Sequence, residues 1–115
     1  MQSLTTAAKA YKAAAAHRSV REQEADVFRL INGRLRGAQT QGAMPRARAL
    51  ADNRLLWITV ADLMRDPANA LPPDLRANIL SIGKAVEREM DRAEPNFEFL
   101  IEINENIAGG LARSN

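Results

Sequence analysis

The sequence predicts an all-α fold, a small bundle of four to five helices forming one domain over residues 1–115. Three observations lead there. Hydrophobic residues make up 46% of the chain but aromatics only 4%, so the apolar mass is Ala, Leu, Ile and Val, and Ala and Leu lead the helix-propensity scale. Glycine (6) and proline (5) are few and gather between apolar stretches. No stretch alternates polar and apolar residues with period two, so no strand is expected. The length of 115 residues suits a single domain.

The elements follow in chain order. Around "AAKAYKAAAA", Leu4, Ala7, Ala8, Tyr11, Ala14 and Ala15 recur at spacings of three and four and predict a helix over 3–16. Its stripe is mostly methyl groups, which bury little area. Residues 1–18 are therefore expected to be a loosely docked N-terminal helix that orders against a partner. "SVRE" at 19–22 reads as a capping box. After it, Val20, Val27, Phe28, Ile31, Leu35 and Ala38 form one stripe of a helix over 20–39, weakened at its end by Gly33 and Gly37. "TQGAMP" (40–45) is a loop in which Gly42 stops one helix and Pro45 restarts the next, over 46–66. Within it "LLWITVADLM" is apolar on nearly every face, the pattern of a central, buried helix.

"RDPANALPP" (65–73) is a connector. Pro67 opposes the α conformation before it, Pro73 fits a first helical turn, and Asp74 complements the positive helix end. Leu75, Ile79, Ile82, Val86 and Met90 then mark a helix to about 93. Gly83 beside that stripe costs up to ~1 kcal/mol in a helix, so a close helix–helix approach is expected there. "EPN" (94–96) supplies a loop and a cap at Asn96. The last helix spans 97–108, through Phe97, Leu100, Ile101, Ile103 and Ile107, and "GGLARSN" is expected to end it.

Little points to chemistry. There is no cysteine, which removes disulfides, thiolate metal sites and a cysteine nucleophile. His17 stands alone and reads as a surface residue. Glu87, Glu89, Asp91 and Glu94 share a helix with Lys84, Arg88 and Arg92 at i,i+3 spacing, the pattern of a solvated face. The glycines at 109–110 follow a helix instead of preceding one, so they form no phosphate loop. Ser81 has no histidine near it in sequence. No enzyme activity, cofactor or metal is expected. The N-terminus is broken by Lys9, Lys12 and His17 and makes a poor signal peptide. No stretch nears the ~20 apolar residues of a membrane span, so the expectation is a cytoplasmic protein with no membrane contact.

Charge is uneven. Residues 1–54 hold ten Lys/Arg against four Asp/Glu, and residues 55–115 hold six against ten. Such polarity either steers a partner or nucleic acid, or is satisfied within the fold. The scattered arginines favour the second reading. Arg29, Arg34, Arg36, Arg46, Arg48 and Arg54 could meet RNA phosphates, but only Phe28 lies beside them to stack on a base.

"NRLLW…DL…NALPPDLRANILSIG" within 53–83 resembles the core block of the FlaF family of flagellar biosynthesis regulators. "LIEINENIAGGL" (100–111) resembles that family's C-terminal block, and Tyr11 with "SVREQEADVF" its opening. Lys84 and Ala85 depart from the more apolar pair expected there. The resemblance implies a small helical flagellum assembly factor that sets flagellin synthesis or export, binding flagellin as a chaperone-like adaptor together with the partner FlbT. Alternatives are a post-transcriptional regulator contacting flagellin mRNA, and a subunit that only stabilises FlbT. Asn53, Trp57, Asn69, Leu71, Pro72, Arg76, Ile103 and Asn104 fall in the matching blocks. Trp57 and Leu71 are expected to anchor the connector, Asn53 or Arg76 to satisfy its carbonyls, and Leu71 and Pro72 to offer a recognition knob. Tyr11, Phe28, Ile31 and Leu35 are candidates to line a groove for a helical partner segment. The alternative is that all four pack internally.

Overall fold

The computed structural model describes residues 20–113. The helix expected over 3–16, with Tyr11 and His17, lies outside them, as does Ser19 of the capping box. Among the described residues there are four helices and no strand: α1 (Val20–Ala38), α2 (Ala43–Arg65), α3 (Pro73–Met90) and α4 (Phe97–Arg113). Contacts run α4–α1–α2–α3, with α1 packed mainly against α4, and α2 shared between α1 and α3.

The core sits where the stripes meet. Phe28, Leu35, Val86 and Leu100 are fully buried, and Trp57, Met64, Ile79 and Leu111 nearly so. Phe28 meets Trp57 edge-on, with ring centroids 5.7 Å apart and planes at 83°, the geometry that aligns a ring's positive edge with its neighbour's negative face. Gly83 allows α3 to approach this tryptophan, because a Cβ there would stand 3.2 Å from Trp57 Cε3. The close approach expected from the sequence is therefore present.

Local chemistry sets the helix ends, with two corrections to their expected places. α2 starts at Ala43 and not at 46: Gly42 is its N-cap and not the stop of α1, and Pro45 lies in its first turn, where backbone N–H groups have no intrahelical partner to lose. Asn96 caps α4 by accepting the Phe99 N–H at 3.1 Å. The last helix does not stop at 108 but runs through Gly109 and Gly110 to Arg113. Ala108 and Leu111 are buried, and burying a leucine is worth about 1.5–3 kcal/mol, comparable to the ~1 kcal/mol that each helical glycine costs. The expected all-round burial of α2 is also corrected: it is central in packing order, but Leu55, Ile58 and Leu63 face outward. The excess of apolar residues on α2 thus makes surface as well as core.

Candidate partner surface and the polar core beneath it

Three of the helices carry one asparagine in the middle of an otherwise apolar buried stripe. Asn32 follows Phe28 by one turn on α1, Asn53 stands between Ala49 and Trp57 on α2, and Asn104 between Leu100 and Ala108 on α4. All three are at most 1% exposed. An amide at such a position is costly unless hydrogen-bonded, and here the stripes bring the three together. Asn104 Nδ2 donates to Asn32 Oδ1 at 2.9 Å and to Asn53 Oδ1 at 2.7 Å. Asn104 Oδ1 accepts the indole N–H of Trp57 at 2.9 Å. Asn32 Nδ2 donates to the Ile101 carbonyl at 3.0 Å, and Asn53 Nδ2 reaches the Met90 sulfur at 3.3 Å. The network touches all four helices, and among the described residues no buried side-chain nitrogen or oxygen lacks a partner.

The connector 66–72 is held from both sides. Asn69 donates to the Leu63 carbonyl at 2.8 Å, and its oxygen accepts from the Leu71 N–H at 2.9 Å and Arg21 of α1 at 2.7 Å. Asp66 accepts the Ala68 N–H at 2.9 Å. Arg76 donates to the carbonyls of Leu71, Asp66 and Met64 at 3.1, 3.4 and 3.5 Å. Without these side chains the turn's carbonyls and amides would have to find water.

Beside the network, side chains of α2 and α3 line a cleft of about 360 Å³. Trp57, Ile79, Leu80 and Gly83 form its floor, the exposed Ile58 its wall, and Arg54, Asp62, Arg65, Lys84 and Glu87 stand around it. An apolar floor with a rim of both signs is suited to the apolar face of an amphipathic segment. It holds no arrangement of nucleophile and base. Among the described residues no group of three His, Cys, Asp or Glu side chains is placed to hold a metal ion. Nor is any helix long and apolar enough to cross a membrane.

The sequence candidates divide clearly. Phe28, Ile31 and Leu35 are buried and pack internally, with Phe28 also lining a small apolar dimple of about 90 Å³ that it shares with Val27, Leu63 and Leu111; Tyr11 lies outside the described residues. Leu71 is buried while Pro72 is exposed, so the two do not form a joint knob. Arg76 satisfies connector carbonyls as expected, whereas Asn53 does not, being held in the core by Asn104 and Met90. Leu71 anchors the connector, but Trp57 belongs to the polar core and the cleft floor. Ile103 is half-buried against the core. Asn32 and Met90 were missed as network members. The signal for Asn32 was a polar residue on the helical stripe of Phe28 and Leu35.

Among the described residues, most arginines of the basic half are engaged within the fold. Arg34 pairs with Asp52 at 3.1 Å, Arg54 with Asp91 at 3.0 Å, Arg29 with Asp26 at 3.4 Å, and Arg36 with Glu105. Arg46 donates to the Gln39 carbonyl at 2.7 Å and lies over the Phe97 ring, 4.4 Å from its centroid. This cation–π contact ties the start of α2 to the start of α4.

The family described as flagellar protein FlaF matches residues 7–111, nearly the whole chain. No curated protein and no solved structure matches.

Proposed function

This chain belongs to the FlaF family of flagellar proteins, which places its role in flagellar biogenesis, and from that premise we propose that it binds flagellin as a chaperone-like adaptor working together with FlbT. The observation that carries the reading is the α2–α3 cleft, an apolar floor rimmed by charges of both signs. It is shaped for a helical segment with one apolar face, the form expected of flagellin's terminal regions before polymerisation. Ile58, exposed on the cleft wall, is the contact residue. The arginines paired within the fold weigh against mRNA as the direct ligand, because phosphate binding draws on unpaired cations.

Calorimetric titration with monomeric flagellin, alone and with FlbT present, tests the reading. Binding with a negative heat-capacity change, which marks apolar burial, is expected, and Ile58→Asp is expected to weaken it about tenfold or more. Silence with flagellin but binding to FlbT would leave a regulatory subunit and sink the adaptor role.

A further inference from the structure

A second apolar surface lies on the α1 side of α2. Val27 and Leu30 of α1 are 46% and 56% exposed, and Leu55 and Leu63 of α2 are 64% and 37% exposed. The two helices run antiparallel, with Arg34 beside Asp52 at one end and Val27, Thr59 and Leu63 around an apolar dimple of about 90 Å³ at the other. In that register Leu30 and Leu55 fall between the two ends. Val27, Leu30 and Arg34 are spaced by three and four, as are Asp52, Leu55 and Thr59, the repeat of a seam that packs against further helices. A contiguous apolar strip with polar groups at its border marks an interaction surface.

Charge decides what covers it. Two copies of the chain can lay this strip face to face about a two-fold axis in two ways. An axis across the helices, at the middle of the strip, turns it end for end. It brings Asp52 of each copy towards Asp62 of the other, a like-charge contact. An axis along the helices keeps the levels and lays α1 of each copy over α2 of the other. Arg34 then faces Asp52 of the second copy, Leu30 faces Leu55, and Val27 covers the dimple beside Thr59. The two Arg34–Asp52 pairs become a ring of four alternating charges, and both side chains stay exposed enough in the single chain to take a second partner. We propose that the α1–α2 strip is the contact between two copies of this chain, joined in this second arrangement as four antiparallel helices. From Asp52 to Leu63 the strip is ~16 Å long and, across two helices, ~20 Å wide, so each copy buries roughly 300 Å². That is under half of the ~800 Å² per partner in a stable complex. The pair is therefore reversible, with a dissociation constant between ~10 μM and ~1 mM. The strip faces α1, whereas the cleft opens towards α3, so this inference does not rest on the flagellin reading.

Sedimentation equilibrium of the full chain between ~10 μM and ~1 mM is expected to show the mass rise from 12.7 kDa towards twice that value. Leu55→Asp, at an exposed site, should raise the dissociation constant at least about tenfold with helical circular dichroism unchanged. Arg34→Asp and Asp52→Arg, each alone, set like charges across the contact and should weaken self-association to a similar degree. An equimolar mixture of these two variants should associate again, because each then faces the opposite charge on the other copy. An ion pair serving only within one chain would not be mended by mixing. A mass fixed at that of one chain throughout would overturn the proposal and leave the strip to a different protein. Self-association untouched by Leu55→Asp would overturn it by moving the contact elsewhere, and a mixture that stays monomeric would overturn the arrangement that pairs Arg34 with Asp52.

Discussion

Asn104 spends both amide hydrogens on Asn32 and Asn53 and its oxygen on Trp57. Replacing it with alanine leaves a buried indole N–H and two buried amide oxygens without partners, and each orphaned group costs about 1–3 kcal/mol. Asn104→Ala is therefore expected to destabilise the fold by roughly 3 kcal/mol or more, read from urea unfolding followed by Trp57 emission. Replacing Asn32, Asn53 and Asn104 together by leucine should cost less than the sum of the three single changes, because the orphans are removed in pairs. Glu89 carries a different kind of polar role. Its carboxylate accepts the Asn96 N–H at 3.0 Å and faces Arg92 at 3.1 Å. The backbone hydrogen bond first, and Arg92 after it, hold its pKa below the ordinary glutamate value against the opposing effect of burial. A lowered carboxyl favours the folded chain above the ordinary value, and that contribution is lost as pH falls through the lowered one. Glu89→Gln should thus lower the unfolding midpoint near neutrality and have no effect in strong acid, as thermal scans across pH would show. At this scale the sequence was partly legible. Asn53, Trp57 and Asn104 stood out by resemblance, but hydrogen-bond partners lie in different helices, and nothing local in a sequence pairs residue 32 with residue 104.

Helix interiors were easier to read than helix ends. The stripes of α3 and α4 marked Ile79, Val86 and Leu100, and that of α1 marked Phe28 and Leu35, which the sequence left open between core and partner groove; all five are buried. The end of α4 was misplaced because Gly109–Gly110 is a local stop signal that Leu111, buried against distant residues, overrides. Two other glycines show that the same residue acts oppositely in different helices. A Cβ at Gly33 would meet nothing within 4 Å, whereas one at Gly83 would stand 3.2 Å from Trp57, a ring held by Asn104 and Phe28. Gly33→Ala is expected to stabilise by about 0.5–1 kcal/mol through helix propensity alone. Gly83→Ala gains the same propensity but must displace a fixed ring, so net destabilisation is expected. Denaturant midpoints of the two variants, measured side by side, check both signs.

Across the described residues, two exposed ion pairs, Arg36–Glu105 and Arg54–Asp91, join the basic half of the chain to the acidic half. Arg34–Asp52, Arg36–Glu105 and Arg54–Asp91 bridge α1 to α2, α1 to α4 and α2 to α3, all on exposed surface. Exposed pairs contribute about 0.2–1 kcal/mol each and are screened by salt. Raising salt to ~1 M should therefore lower the unfolding free energy by no more than about 3 kcal/mol, while the cost of Asn104→Ala stays the same because that network is neutral. Composition and periodicity revealed the helical class and the four helices among the described residues, but not which apolar residues stay outside. Leu55, Ile58 and Leu63 look like core in sequence because exposure depends on how many neighbours a helix acquires. The asparagine network also has an evolutionary consequence. Its members cannot be lost one at a time without orphaning another, so a lineage drifting through point mutations meets a fitness barrier at 32, 53 and 104. The aliphatic positions around them can be exchanged in single steps. Variation in this bundle should therefore accumulate among its leucines and isoleucines sooner than among three of its asparagines.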